Sequence, residues 1–429
     1  MKRFIDIDEI QERIKLNFEH LKNDSYYDIK EVFSPTDYSW YGDKEGRALL
    51  AFVSHYKISK EKIPCMDLML KDLPDRLNSE GYFGPLYQGV IHEQQLSGHS
   101  WLLRGLAEHY QVFKDDLSLS IMEKIVQNLY LPLRGKIGSY PIDRSTGKKG
   151  DVSGEMTEVI DSWELSSDIG CAFMCIDGLS HVYEITKDNR IKELLDEMIA
   201  FYLSIDKLKL KAQTHCTLTS ARGMLRMYQN TSDVRYINGA QSIFDLYTHG
   251  GGMTKTYQNL NWWGREDSWT EPCAIIDSLM VATELYKFTK EEDYRTLAAR
   301  IYHNGLATAQ RDNGGAGTDT LICEGSPHKY LQPRMYEAKF CCSMRMAEGL
   351  WYINENKNYL WAEISGSIVK GTDNIYRDND ILYCLPDDTL IPFAENGKQI
   401  DGMTLYPIVK AYKVPKDVFI AAKQKIIFE

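Results

Sequence analysis

The chain is 429 residues long, 43% hydrophobic and 26% charged, the balance of a globular protein with a substantial core. Its 50 Lys and Arg against 61 Asp and Glu give a formal charge of −11, which repels phosphate backbones and sets nucleic acid aside as a partner. No run approaches the roughly 18 apolar residues of a membrane span, the N-terminal residues lack an apolar signal core, and an odd nine cysteines argue against a disulfide framework, so a cytoplasmic protein with no membrane partner is expected.

Along the chain a weak repeat comes first. A helical run ends in an aromatic residue, a short turn follows, and an acidic residue opens the next helix. The copies are Tyr56 to Glu61, Tyr110 to Asp115, Tyr183 to Asp188, Tyr228 to Asp233 and Tyr286 to Glu291. The acid suits the positive end of the following helix. The spacing between copies varies, whereas solenoids usually keep a fixed period. Hairpins with long variable loops fit a closed ring, so residues 1–355 are expected to form an α/α toroid of about six helical hairpins. A helix from Ser343 to Ile353 marks the sixth. After Tyr359, short β-type runs such as Ile381 to Leu385 alternate with turn clusters, and 356–429 reads as a small β-rich C-terminal domain.

Within that frame some segments stand out. His92 and Glu93 begin a run reaching Gly98 and His99, ahead of a helix that ends at His109-Tyr110. Cys171 and Cys175 lie one helical turn apart and read as core, as do Cys65, Cys216, Cys323 and Cys384. His215 opens the helix that runs to Thr231. Trp262 and Trp263 can stack on a sugar's C–H face, or simply pack. Glu266 and Asp267 follow in the same loop. Glu271 and Cys273 flank Pro272 at a helix start, where the dipole favours carboxylate and thiolate. Cys341 and Cys342 again sit where a loop feeds a helix. Two adjacent thiols with a Glu and a Cys from upstream make an S₃O set suited to one tetrahedral metal; core filler or a vicinal disulfide is the alternative.

These segments resemble glycoside hydrolase family 127, the β-L-arabinofuranosidase family. The matching residues are Trp269-Thr270-Glu271-Pro272-Cys273, the Cys341-Cys342 pair, His92 to His99 with His109-Tyr110, His215 before Thr231 to Asp233, and Tyr302 to Ala307. They run in the same order over residues 80 to 355. The resemblance implies a retaining glycosidase with zinc held by Glu271, Cys273, Cys341 and Cys342, and Cys341 as nucleophile. It implies an oligosaccharide or glycoside substrate of the arabinofuranoside kind. His92, Glu93, His99 and His215 would bind sugar hydroxyls, and Trp263 would form a stacking platform. The chain departs from the family where Gly250 to Gly252 lacks the following Glu that serves there as acid/base. A family His near Ala172 is also missing, and the tail is shorter. Glu266, with Asp267 second, is the expected proton donor, as the carboxyl nearest in sequence to the ligands. Two other readings stand beside this one. One is a different sugar-processing toroid, such as an unsaturated uronyl hydrolase or an N-acyl sugar epimerase. The other is a non-catalytic glycan-binding toroid with structural zinc.

Overall fold

The computed structural model describes residues 2–4, 7–35, 39–146, 153–254, 257–265, 268–318 and 336–363, with strand segments between 369 and 413. Five turns set the architecture. The residue four places after each repeat tyrosine takes a left-handed backbone (Lys60, Lys114, Lys187, Ser232 and Lys290), and its N–H bonds back to the tyrosine carbonyl. That closes one helix. Asp115, Asp188 and Asp233 then accept backbone N–H groups of the next helix and start it.

The hairpin helices are α1 (Ile7–Asn23), α2 (Asp43–Ser59), α3 (Pro64–Asp72), α4 (Glu93–Phe113), α5 (Asp116–Ile125), α6 (Cys175–Thr186), α7 (Asn189–Ser204), α8 (Thr214–Thr231), α9 (Val234–His249), α10 (Pro272–Thr289), α11 (Glu292–Arg300) and α12 (Cys342–Asn356). The helices α2, α4, α6, α8, α10 and α12 each pack on the next, and α12 returns to α2, so six inner helices close a ring. The outer helices cover it. Composition follows position: inner α10 is buried from Pro272 through Thr283, whereas outer α7 buries one stripe, Ile191, Leu194, Leu195, Met198, Ile199 and Tyr202. Gly46 lets α2 approach α4 closely, since a Cβ there would lie 2.2 Å from the Leu102 backbone. The fold is thus an α/α toroid, as the repeat implies. The sixth hairpin is split, because the outer partner of α12 is α1 from the opposite end of the chain.

Inside the ring lies a charged hub. Arg104 on α4 pairs with Asp177 on α6 at 3.0 Å and with Glu348 on α12 at 2.8 Å. Arg222 on α8 bridges Glu348 (3.1 Å) and Asp277 on α10 (2.9 Å), and Arg345 on α12 also meets Asp277, at 2.5 Å. Five of the six inner helices contribute.

One feature differs from the expectation of helix throughout the first 355 residues. A three-stranded sheet, Ile91–His92 parallel to Trp163–Ser166 and Met156–Ile160 antiparallel to it, lies before residue 240. It occupies the connection between α5 and α6 and the entry to α4, and it leaves the ring intact. Met156 to Ile160 alternate between half-buried and exposed, the period of a strand with one covered face. After Asn356 strands take over. Trp361–Glu363 pairs antiparallel with Lys2–Phe4, and Leu382–Cys384, Ala411–Lys413, Met403–Leu405 and Lys398–Ile400 form a mixed four-stranded sheet. Among the described residues no helix is long and apolar enough to cross a membrane.

Candidate active site

In each hairpin the chain runs down one helix and back along the other, so all inner helices point the same way. Their N-termini therefore gather at one mouth. Gly42 and Asp43 at the start of α2, Gln213 and His215 at α8, Glu271 at α10 and Cys341 at α12 all line one cavity of about 470 Å³. Phe33, Trp40, Tyr41, Phe83 and Phe340 give it aromatic walls. The positive ends of several helix dipoles meet there, which favours anionic side chains.

The four expected ligands come together. Atoms of Glu271, Cys273, Cys341 and Cys342 lie within 4.8 Å of one another, and this buried group can hold a metal ion. Cys273 Sγ is 3.9 Å from Cys342 Sγ, and Cys341 Sγ is 3.3 Å from Cys342 Sγ. A tetrahedron with zinc–sulfur bonds near 2.3 Å has sulfur–sulfur edges of about 3.8 Å. Donor chemistry and spacing therefore fit such an ion. Cys273 and Cys342 are fully buried; Cys341 reaches the cavity wall.

Two cations lean on this set. Arg47 donates to Cys273 Sγ at 3.3 Å and to Asp43 at 2.8 Å, and lies over the Trp101 ring at 3.6 Å. His215 places Nδ1 3.1 Å from Glu271 and Nε2 3.4 Å from Asp277. Burial opposes its charge, yet the two carboxylates raise it to about 9. Burial likewise opposes a thiolate at Cys273, but hydrogen bonds from Cys341 and Cys342 and the charges of Arg47 and His215 hold it well below the usual thiol range. His215 links the site to the hub, because Asp277 also takes Arg222 and Arg345.

The other expected residues sit behind the wall. His99 donates Nδ1–H to the Gln95 carbonyl (2.8 Å) and accepts the Phe83 N–H on Nε2 (2.9 Å), so it fixes a wall residue without lining the cavity. His92 caps α4 by accepting the Gln95 N–H and stacks on Tyr87. Glu93 is fully buried and takes Tyr140, Arg144 and the Ser166 and Gly170 N–H groups. Trp263 is 1% exposed and packs over Gly252. Of the five, only His215 lines the cavity. Glu266 and Asp267 lie outside the described residues, as does Cys323. Cys65, Cys171, Cys175 and Cys216 are buried free thiols in the core.

Sequence reasoning missed Asp43, Arg47, Asp168 and Gln213. Asp43 and Arg47 carry the i, i+4 pattern of a helical ion pair, which was the available signal. Asp168 had none. A second close set, His20, Asp24 and Glu337, acts as a clamp: Glu337 takes His20, Ser343 and Asn313, and Asp24 pairs with Lys339.

No protein-family model matches the chain, and no curated protein matches it. Solved structures share its fold. A glycoside hydrolase family 127 β-arabinofuranosidase aligns with 83% of this chain at 15% identity and a TM-score of 0.55; the chain spans 61% of that protein's length. A family 127 β-L-arabinofuranosidase from Geobacillus stearothermophilus T6 aligns with 94% of the chain and 69% of its own, at 14% identity and a TM-score of 0.52. Cellobiose 2-epimerase from Bacillus thermoamylovorans B4167 aligns with 81% of the chain and 98% of its own, at 12% identity and a TM-score of 0.54. At these identities the likeness concerns the fold.

Proposed function

We propose that this chain is a retaining glycosidase that binds one zinc ion through Glu271, Cys273, Cys341 and Cys342 and uses Cys341 as its nucleophile. The observation that carries the reading is the position of those four ligand atoms, within 4.8 Å of one another, at the wall of an aromatic-lined cavity. Aromatic walls suit the C–H faces of a sugar. A bound zinc ion would take the protons off the thiols, which are otherwise mostly protonated at neutral pH.

The chain's own residues do the rest. Four anionic ligands around a dication leave two negative charges, and Arg47 and His215 stand beside them to balance these. Arg47 engages Cys273, away from the wall, and leaves Cys341 as the sulfur facing the cavity. In the first half-reaction the Cys341 sulfur attacks the anomeric carbon while the bond to the leaving oxygen breaks. That oxygen requires a proton, for which Glu266 is the candidate from sequence. In the second, water displaces the sulfur and the sugar leaves with its configuration retained. Shared fold with β-L-arabinofuranosidases supports a furanoside of that kind as substrate.

A second reading, sugar epimerisation, draws on the epimerase that this chain matches over 98% of its length. That chemistry has no need of a three-cysteine set. One experiment separates the two: metal analysis of the purified protein, with activity on a panel of nitrophenyl furanosides and pyranosides. About one zinc per chain is expected, lost in Cys273→Ser and kept in Cys65→Ser, together with release of nitrophenol from a furanoside. Folded, metal-free protein with full activity would sink the glycosidase reading.

A further inference from the structure

We propose that Asp168 is the acid and base of this site, giving its proton to the leaving oxygen and taking one back from water. The inference rests on the glycosidase reading above. Four carboxyls line the described cavity: Asp43, Glu45, Asp168 and Glu271. Glu271 belongs to the ligand set, and Asp43 is tied to Arg47 at 2.8 Å. Glu45 on α2 also faces the cavity, and burial lifts its carboxyl to about 7, but among the described residues it is held only by the backbone N–H groups of its own turn, at Gly42 and Glu45. Asp168 is the cavity carboxyl that other segments of the fold fix in place.

It is also built into place. It lies between the strand ending at Ser166 and the turn that opens α6, 1% exposed. Ser153 Oγ reaches both its oxygens at 2.9 Å, the Gly154 N–H donates to Oδ2 at 2.7 Å, and Gln213 Nε2 donates to Oδ1 at 2.7 Å. Gln213 leads directly into α8, where His215 holds Glu271, so one helix start positions both the carboxyl and a ligand of the metal set. No arginine or lysine pairs with Asp168 among the described residues. Burial, aided by the charges of Glu271 and Glu93, outweighs the donated hydrogen bonds and lifts its carboxyl to about 7. A group poised there can both give and accept a proton near neutral pH.

The steps balance. The Cys341 thiolate bonds to the anomeric carbon and the glycosidic C–O pair leaves with oxygen. Asp168 protonates that oxygen and becomes a carboxylate. Water then attacks the same carbon and passes its proton to Asp168, while the C–S pair returns to sulfur. The sum is glycoside plus water to free sugar plus alcohol.

The test compares wild type, Asp168→Asn and Glu266→Gln on 4-nitrophenyl and methyl β-L-arabinofuranosides, with zinc content and circular dichroism as checks. Asp168→Asn is expected to keep its zinc, to lose about 10²–10⁴-fold on the methyl glycoside, and to lose far less in the first step on the nitrophenyl one. Azide, which needs no base, should restore turnover of the latter as glycosyl azide. Wild-type rates for Asp168→Asn on the methyl glycoside overturn the proposal. So do equal losses on both substrates without azide rescue, or the selective loss appearing in Glu266→Gln alone. If Asp168→Asn does not fold, Asp168→Glu decides: a carboxyl one carbon longer should keep measurable turnover of the methyl glycoside with a shifted pH profile, and an unchanged profile counts against the assignment. A wild type inactive on both substrates removes the glycosidase reading and this proposal together. An active wild type matched by Asp168→Asn removes only this one.

Discussion

Glu337 lies off the cavity, yet it holds the chain that delivers Cys341 and Cys342. It accepts from His20 at 2.5 Å, Ser343 Oγ at 2.8 Å and Asn313 at 2.9 Å. Burial alone would raise its carboxyl, but the His20 and Ser343 hydrogen bonds bring it down to about 2, from an ordinary 4.5. A carboxyl depressed by folding stabilises the native state above its unfolded value and loses that contribution as pH falls through its folded value. The window therefore runs from about pH 5 down to 2, and the contribution is at most about 3 kcal/mol. Glu337→Gln should be less stable than wild type in urea at pH 7, with the gap closing as the pH is lowered to 2. A gap constant across that range would mean the carboxylate charge is not what clamps the segment. At this scale the sequence revealed residues whose chemistry is written locally. Cys341 and Cys342 are adjacent, and Glu271 and Cys273 are two apart. Asp168 and Gln213, separated by 45 positions, meet only because the loop ahead of α6 packs on the start of α8, where the Gln213 N–H also donates to the Ile169 carbonyl.

The hairpin is the element that repeats, and its turn is a local device. A tyrosine carbonyl takes the N–H of a residue held at positive φ, and an aspartate then caps the next helix. Four of the five positive-φ positions are lysines, which bear a steric cost that glycine avoids. Lys290 sits at φ 64 on the exposed side of its turn. Lys290→Gly should stabilise the protein by about 0.5–1 kcal/mol in urea titrations, less what glycine's greater chain entropy takes back. Asp233→Ala, which strips the cap from α9, should cost about 1 kcal/mol. Opposite signs are the check; two losses would show that the lysine stem matters more than its backbone. Because the whole signal fits within six residues, these turns are readable from sequence. The pairing of α1 with α12 has no local signature, and the three-stranded sheet draws its partners from residues 91 to 166, so neither could be read that way.

Across the whole molecule the hub of Arg104, Arg222 and Arg345 with Asp177, Asp277 and Glu348 joins five inner helices in a buried ion network. Such a network adds little net stability over a well-packed apolar core, but breaking one member leaves the others charged and unpaired. Glu348→Ala should therefore cost about 3–5 kcal/mol in urea unfolding. A loss under 1 kcal/mol would mean water or rearrangement satisfies the arginines. The network also reaches the cavity through Asp277 and His215, so this variant is expected to disturb the metal set as well. The ring itself was legible because alternate helices of each hairpin must bury an apolar face on their neighbours. The hub was not, since its six charges come from five helices, with only Arg345 and Glu348 sharing one, and each reads alone as solvent-facing.

The split hairpin has a consequence for the order in which the protein can form. Asn17 on α1 donates to the Ser343 carbonyl on α12, across 326 positions of chain. α1 is thus made before the other ring helices, and its partner α12 after all of them. Until α12 emerges, the stripe of Ile10, Ile14, Phe18 and Leu21 has no ring to cover it. Contacts so distant in sequence carry a loop-closure cost that slows folding, and exposed apolar stripes invite association in the meantime. Completion of the ring, and with it the delivery of Cys341 and Cys342 to Glu271 and Cys273, waits for α12.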